Sequence, residues 1–513
     1  MNGAHALIHT LVGADVDVCF ANPGTSEMHF VAALDDFPGM RVVLGLFEGV
    51  VTGAADGYAR VAGKPAATLL HLGPGLANGM ANLHNARRAR VPMVNIVGDH
   101  ATYHKKYDSP LTSDIETVAR TFSAWVGMPQ APQQAGPAVA EAVRASYGPP
   151  GGIATLILPA DVSWGENAEP APREPVPVRQ PAAQDAIAAV AKLLTSGERC
   201  LLLIGGSATN ATALRAANRI ATGTSAQVLL ETSTARLERG GGIPEPERLK
   251  YRSGGAVAQM AGVQHLILVD AQIPVAFFAY PNKESYLVPD GCEIHQLAAA
   301  GEDATAALAE LAERTAPGTA PAVQTAPRPE YPAGELTAAS VAAAVAALLP
   351  EEAIVVNEAI TSGAYAESAT AGGPHHDWLS GTGGSIGLGL PMAVGAAVAA
   401  PGRKVIALQA DGSAMYTIQA LWTMARENLD VTTVIYNNRR YGILKSELKR
   451  VGASGGPKTA DVLEIGRPDI DFVSLAAGMG VEAERADTAE QFTAALGGAL
   501  RSRGPRLVEA ILP

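Results

Sequence analysis

Short runs of β-branched and aliphatic residues recur through this chain, each followed by a longer Ala-rich stretch. In the first third they are VDVCFAN, VVLGLFE, AATLLHLG, VPMVNIVGD and GIATLILP. The middle third has CLLLIGG, AQVLLET and HLILVDA, and the last has AIVVNEA, KVIALQA, VTTVIYN and RLVEAIL. Runs that are apolar throughout suit strands buried on both faces, the condition of parallel sheets covered by helices. Their alternation with helical stretches predicts an α/β protein of doubly wound parallel sheets. Two Pro/Ala-rich stretches, Ser163 to Ala182 and Thr315 to Gly334, cannot build a core and read as extended linkers. They divide the 513 residues into three pieces, predicted as domains over 1–165, 183–314 and 335–513.

The formal net charge of −12 argues against a nucleic-acid partner, because phosphate binding needs clustered Lys and Arg. No apolar run is long enough to span a bilayer, so no membrane is expected. The opening MNGAHALIHTLVGADVDVCF has no basic region before a long apolar run and reads as an amphipathic helix entering a strand. Cys19, Cys200 and Cys292 are far apart, with neither CxxC nor metal-ligand spacing. A reduced, cytoplasmic setting is the simplest reading.

Ligands of such sheets bind beyond the carboxyl ends of strands, so the residues just after each apolar run are the ones to read. KVIALQ ends in Ala410-Asp411-Gly412-Ser413, and VTTVIY ends in Asn437-Asn438. Asp411 and Asn438 are 27 residues apart, about one strand–helix–strand crossover, so both would sit on one edge of one sheet. A carboxylate and an amide carbonyl are oxygen ligands for a hard cation such as Mg²⁺. Gly412 admits close backbone approach, and Ser413 opens a helix whose N-terminus favours an anion. The glycine cluster LSGTGGSIGLGLPMAVGAA is not a dinucleotide fingerprint, since GxGxxG counted from Gly381 fails at Ile386.

With ADGSAMYTIQALWTMARENLDVTTVIYNN the chain resembles thiamine-diphosphate-dependent enzymes, whose signature is GDG, a similar interval, then NN. Ala410 stands where the first glycine is usual. The resemblance implies three domains, pyrimidine-binding, central and diphosphate-binding. It implies Mg²⁺ on Asp411, Asn438 and the backbone carbonyl of Arg440, with Gly412, Ser413 and Tyr441 beside the diphosphate and Thr361 and Ser362 as further donors. Gly384 would accept from the coenzyme's exocyclic amine, with Ser385 alongside and Ile386 as the wedge that bends the coenzyme. Glu48, with GAADGYARVAGKP after it, matches the pyrimidine-binding domain, where a carboxyl shares a proton with the aminopyrimidine. In that family the outer domains of different subunits face each other across one coenzyme. A homodimer or homotetramer with sites between subunits is therefore implied. The middle piece is short and without a convincing flavin motif, so FAD is not expected.

Within the family, NPGTSEMHF, HLGPGLANGMANLHNA and DGSAMYTIQALW look most like benzoylformate decarboxylases. That resemblance places Asn22, Pro23 and Gly24 on the pyrimidine ring, Thr25 on the substrate, and His71 as a proton relay. A middle-domain histidine of those enzymes has no counterpart in AQIPVAFFAYPNKESY; His100, His104, His375 and His376 are the compensating candidates. Leu72, Phe277 and Phe278 are expected to shape the pocket, and Arg87, Arg88, Lys105 and Lys106 could attract an anion. The implied activity is decarboxylation of a 2-oxo acid, with carboligation as a further outcome. An acetolactate-synthase-like carboligase stays open on the Gly73-Pro74-Gly75 loop. A non-catalytic cofactor-binding regulatory protein is the reading from another class, and retention of Glu48, Asp411 and Asn438 speaks against it.

Overall fold

The apolar runs become the central strands of three sheets in a computed structural model that describes residues 1–323 and 327–513. Part of the second linker, 324–326, lies outside the described residues. The first sheet contains β1 (Val18–Asn22), β2 (Arg41–Leu44), β3 (Ala66–Leu70), β4 (Met93–Asp99), β5 (Trp125–Gly127) and β6 (Ile153–Pro159). Its order is β2-β1-β3-β4-β6-β5, and every pairing is parallel. The middle of the chain supplies β7 (Cys200–Ile204), β8 (Gln227–Leu230), β9 (Arg236–Arg239), β10 (Glu247–Arg248), β11 (His265–Val269) and β12 (Glu293–Ala298). The parallel central sheet runs β10-β8-β7-β11-β12. The last sheet has β13 (Ala353–Glu358), β14 (His376–Ser380), β15 (Val405–Ala410), β16 (Val431–Asn437), β17 (Glu482–Ala486) and β18 (Arg506–Ile511). Its order is β17-β18-β16-β15-β13-β14-β9.

Strands buried along their whole length, such as β4 and β16, are those whose sequence is apolar or small throughout. The structure departs from the sequence reading at most of the sheet edges and at β14, next to one of them. β9, β10, β12, β14 and β17 carry charges or polar residues and have no continuous apolar run, and β5 is only three residues long. β9, from the middle of the chain, leaves the central sheet and pairs antiparallel with β14. The run VVLGLFE is a strand only to Leu44; the chain then turns through Gly45–Phe47 and enters the helix Glu48–Ala62. The described residues contain no helix long and apolar enough to cross a membrane.

The outer sheets are joined by packing of the helix Glu48–Ala62 against the helix Gly389–Ala399. The contact needs a residue without a side chain: a Cβ on Gly395 would lie 1.9 Å from the Ala54 carbonyl oxygen. At its far end, Arg60 ties this helix to the residue before β9 and to the end of β14. Its guanidinium binds Asp56 at 2.6 and 2.8 Å and donates to the carbonyls of Ala235, 2.9 Å, and Ser380, 2.6 Å. Both side chains are buried. Burial pushes the Asp56 carboxyl up, and Arg60 opposes that shift. Removing the cation would strand a buried carboxylate and two carbonyls, so Arg60→Leu is expected to lower unfolding free energy by about 3–5 kcal/mol. Denaturant unfolding checks this, and a midpoint unchanged from the parent protein would contradict it.

Candidate active site

Two clusters of polar side chains stand at carboxyl edges of sheets, one on the first sheet and one on the last. On the first, Asn22 ends β1 and Pro23, Gly24 and Thr25 follow it, Glu48 follows the turn after β2, and His71 follows β3. Glu48 is the first residue of its helix and only 6% exposed. Its Oε2 accepts from Asn78 Nδ2 at 2.9 Å, and its Oε1 faces Gly75 and the foot of His71. His71 Nδ1 lies 2.9 Å from Glu27 Oε2, and the Gly24 N–H donates to that oxygen at 2.8 Å. The imidazole rests so close to Gly24 that a Cβ there would meet the ring at 2.2 Å. Leu72, buried and next to His71, holds φ at +45°, a region that non-glycine residues rarely occupy.

Glu27 escaped the sequence reading. Within NPGTSE it looks like an acid in a helical first turn, and its link to a histidine 44 residues on exists only in the fold. With Nδ1–H turned to the carboxylate, His71 Nε2 is the nitrogen left to exchange a proton, and it makes no hydrogen bond among the described residues. His100 follows β4 on the same edge; its Nε2 is 3.0 Å from Ser109 Oγ, and its ring centroid is 5.5 Å from that of His104. Lys105 pairs with Asp99, and Lys106 lies over Tyr107.

On the last sheet, Asp411 follows β15 and is 3% exposed. Its Oδ1 accepts from Gly412 N at 2.8 Å and its Oδ2 from Arg439 N at 2.6 Å, which ties the loops after β15 and β16 together. Burial pushes this carboxyl up, and the backbone N–H groups pull the other way. No side-chain cation pairs with Asp411 among the described residues. The adjacent asparagines diverge: Asn437 turns inward to Glu509 at 2.7 Å, while Asn438 Nδ2 and Thr361 Oγ1 both flank Gly442. A Cβ on Gly412 would strike the Tyr441 ring at 2.5 Å, so the bare backbone lets Tyr441 lie against this loop. A buried carboxylate without a counter-ion, an amide and the backbone at Arg440 form an all-oxygen donor set, which fits a hard cation. Ser413 turns its hydroxyl inward, taking a bond from Gln409 and giving to the carbonyls of Glu358 and Ala410. Ser362 follows Thr361 in the loop after β13 and is partly exposed.

The glycine loop after β14 is the third part. Glu358, a second carboxyl that the sequence reading missed, is fully enclosed and accepts from the N–H groups of Leu388 and Gly389 and from Gln409. It thereby fixes the start of the Gly389–Ala399 helix to β13. The helix Leu72–Ala89 grips the loop from the other side. His84 bonds the Gly383 carbonyl at 3.0 Å, Asn85 bonds both backbone groups of Ser385, and Asn82 bonds the Gly387 carbonyl at 3.2 Å. Gly384 sits at φ +78° under the Phe277 ring, and Ile386 is partly exposed beyond it. Phe278 packs edge-on to Phe277, and Arg88 bonds Gln272 nearby.

His375 and His376 are a correction. β14 runs parallel to β13 with His376 opposite Ala353, so both histidines stand at the amino edge, away from either cluster. His375 pairs with Glu352 at 2.7 Å. His376 is wholly buried, directs Nδ1 to the Pro374 carbonyl, and has its pKa held down to about 4 by burial and by neighbouring Arg239.

One helix, Leu72–Ala89, touches both loops: Asn78 holds Glu48, Asn85 holds the glycine loop, and between them Asn82 donates to the carbonyls of Gly49 at 2.7 Å and Gly387 at 3.2 Å. No hydrogen bond among the described residues joins Glu48 or His71 to Asp411 or Asn438.

Comparison with known proteins follows the same division. Residues 1–121 match the model of the thiamine pyrophosphate enzyme N-terminal TPP-binding domain, and 362–510 match the C-terminal TPP-binding domain. The chain is 60% identical over 515 residues to a Mycobacterium tuberculosis protein provisionally named acetolactate synthase large subunit IlvX, covering 100% of this chain and 99% of the relative. It is 31% identical over 520 residues to the benzoylformate decarboxylase of Pseudomonas aeruginosa, covering 96% and 95%. The solved thiamine-diphosphate-dependent 4-hydroxybenzoylformate decarboxylase of Rhodococcus jostii RHA1 superposes with a TM-score of 0.87 at 26% identity, covering 100% and 99%.

An imidazole whose pKa is lower in the folded chain takes up its proton on unfolding, so the stability it confers is present above pH 6.5 and lost as pH falls towards 4. For His376 that loss amounts to about 3 kcal/mol. Urea unfolding between pH 4 and 7 should show a shallower acid limb in His376→Gln, with turnover at neutral pH retained. Identical slopes, or abolished turnover in a folded variant, would contradict the structural role.

Proposed function

Because the chain belongs to the thiamine pyrophosphate enzyme family, we propose that it decarboxylates a 2-oxo acid, at a site completed by a second copy of the chain, and releases the aldehyde. The observation that carries this reading is the His71–Glu27 pair on the same strand edge as Glu48. Bound thiamine diphosphate supplies the electron sink for losing carbon dioxide next to a carbonyl. The protein's residues supply binding, orientation and protons. Asp411, Asn438 and the Arg440 carbonyl would hold Mg²⁺ and with it the diphosphate end, helped by Thr361, Ser362, Tyr441 and the backbone N–H groups of Gly412 and Ser413. Gly384, Ser385 and Ile386, with Asn22, Pro23 and Gly24 of the other copy, seat the aminopyrimidine end. Glu48 offers Oε1, the oxygen that Asn78 leaves free, for the proton exchanged with the aminopyrimidine end. Thr25, exposed at the mouth, orients the substrate. His71 delivers a proton from Nε2 to the carbon that has lost its carboxylate, and Glu27 steadies the imidazolium as the proton returns.

One observation supports the shared site: apolar side chains stand exposed around each cluster, Leu46 at 49% beside Glu48 and Met415 and Tyr416 at 40% and 54% beside Asp411. Burying such residues against a second copy follows the usual logic of homo-oligomers.

A second reading, joining of two 2-oxo acids, is favoured by the name of the Mycobacterium tuberculosis relative. The two differ in what captures the reactive carbon, the His71 proton or a second carbonyl. Incubation with benzoylformate and with pyruvate, reading aldehyde against acetolactate, separates them; acetolactate without aldehyde would overturn the decarboxylase reading. Glu48→Gln is expected to cut kcat by about 10²–10⁴-fold while calorimetry still shows coenzyme uptake. Full turnover in that variant would refute the proton role. Glu27→Gln is expected to lower kcat more than it raises KM, and an effect on KM alone would contradict its action through His71.

A further inference from the structure

On the central sheet, far from both clusters, three metal-ligating side chains converge. His265 opens β11 and Glu293 opens β12, and the parallel register sets them opposite each other. His295 lies two residues on from Glu293 and so points to the same face. His265 Nδ1 is 3.1 Å from His295 Nε2, and Glu293 Oε2 is 3.8 Å from the first nitrogen and 3.7 Å from the second. Among the described residues this is the only group of three or more His, Cys, Asp or Glu side chains with donor atoms so gathered. A triangle with those sides has a centre about 2.1 Å from every corner, which is the bond length of zinc to imidazole nitrogen and carboxylate oxygen.

The surroundings suit a ligand histidine. Glu198 Oε2 lies 2.9 Å from His265 Nε2 and draws the proton to that nitrogen, leaving the Nδ1 lone pair aimed at the centre. His265 is 8% exposed, whereas Glu293 is 70% exposed, so one side of the centre is walled and the other opens to water. The donors are two imidazoles and one carboxylate, softer than the all-oxygen set at Asp411, and the two places therefore call for different cations.

We propose that His265, His295 and Glu293 form a site for one zinc-class divalent cation, with water in the fourth position and Glu198 orienting His265. β12 is the outermost strand of its sheet, and the ion would clip it to β11. The site occupies the amino edge of the central sheet, opposite the edge where Gly206 and Asp270 face the first domain through Arg90. Its role is to stabilise the fold, because a cation bound only by the folded chain raises stability by mass action.

The test uses the holoenzyme, stripped of transition metals and resupplied with thiamine diphosphate and Mg²⁺. Titration with zinc is expected to give one ion per chain, a higher Tm and unchanged kcat. His295→Gln is expected to abolish both the binding and the Tm rise, and Glu198→Gln to weaken binding about 10–100-fold with all three ligands intact. Cobalt(II) in place of zinc should give the intense visible bands of a four- or five-coordinate ion. If His295→Gln fails to fold, Glu293→Gln serves in its place. Equal zinc uptake by the parent and a folded ligand variant, or a cobalt spectrum of the hydrated ion only, would show that His265 and His295 are merely a hydrogen-bonded pair.

Discussion

Contact between the helices Glu48–Ala62 and Gly389–Ala399 governs the geometry of everything else. A glycine at 395 lets one helix lie on the other's backbone, and Arg60 and Asp56 close the far end of the junction with a buried ion pair. Both helices begin at functional loops, one at Glu48 and the other just beyond Gly384–Gly387. Setting the helices against each other therefore sets the two loops at a fixed spacing. Asn82 ties the two starts to each other through the carbonyls of Gly49 and Gly387, and the proposed second copy rests on the exposed apolar side chains around each cluster.

Buried carboxyls do different work at different depths. Asp56 meets a guanidinium, so its charge is balanced internally. Glu358 has no counter-charge but three donors, and it serves as a bracket between β13 and the following helix. Asp411 has only backbone N–H partners, a condition costly for a carboxylate unless a cation arrives. Glu27 has a histidine, which can change its charge. Only the last two are poised to respond to something outside the chain.

The sequence made the interior strands and their ends legible because burial on both faces leaves continuous apolar runs. Asp411, Asn438, Glu48 and His71 could be picked out as residues that directly follow such runs. Most edge strands were invisible for the same reason in reverse: β17, EAERA, and β9, RLER, are half in water and need no apolar run, whereas the edge strand β2 keeps one. Glu27 and Glu358 act across space on groups distant in sequence, which no local pattern encodes. His375 and His376 misled because they stand at the start of a strand; they occupy its amino edge, and only strand direction separates that edge from the one that carries the site residues.

The most direct test of the two-copy site is complementation. Glu48→Gln and Asp411→Asn are each expected to be inactive alone. Mixed by co-expression in equal amounts, they should form hybrid dimers in which one of the two sites has both intact groups, restoring about a quarter of the parent activity. A mixture as inactive as either variant would place both groups of each site in one chain and contradict the account.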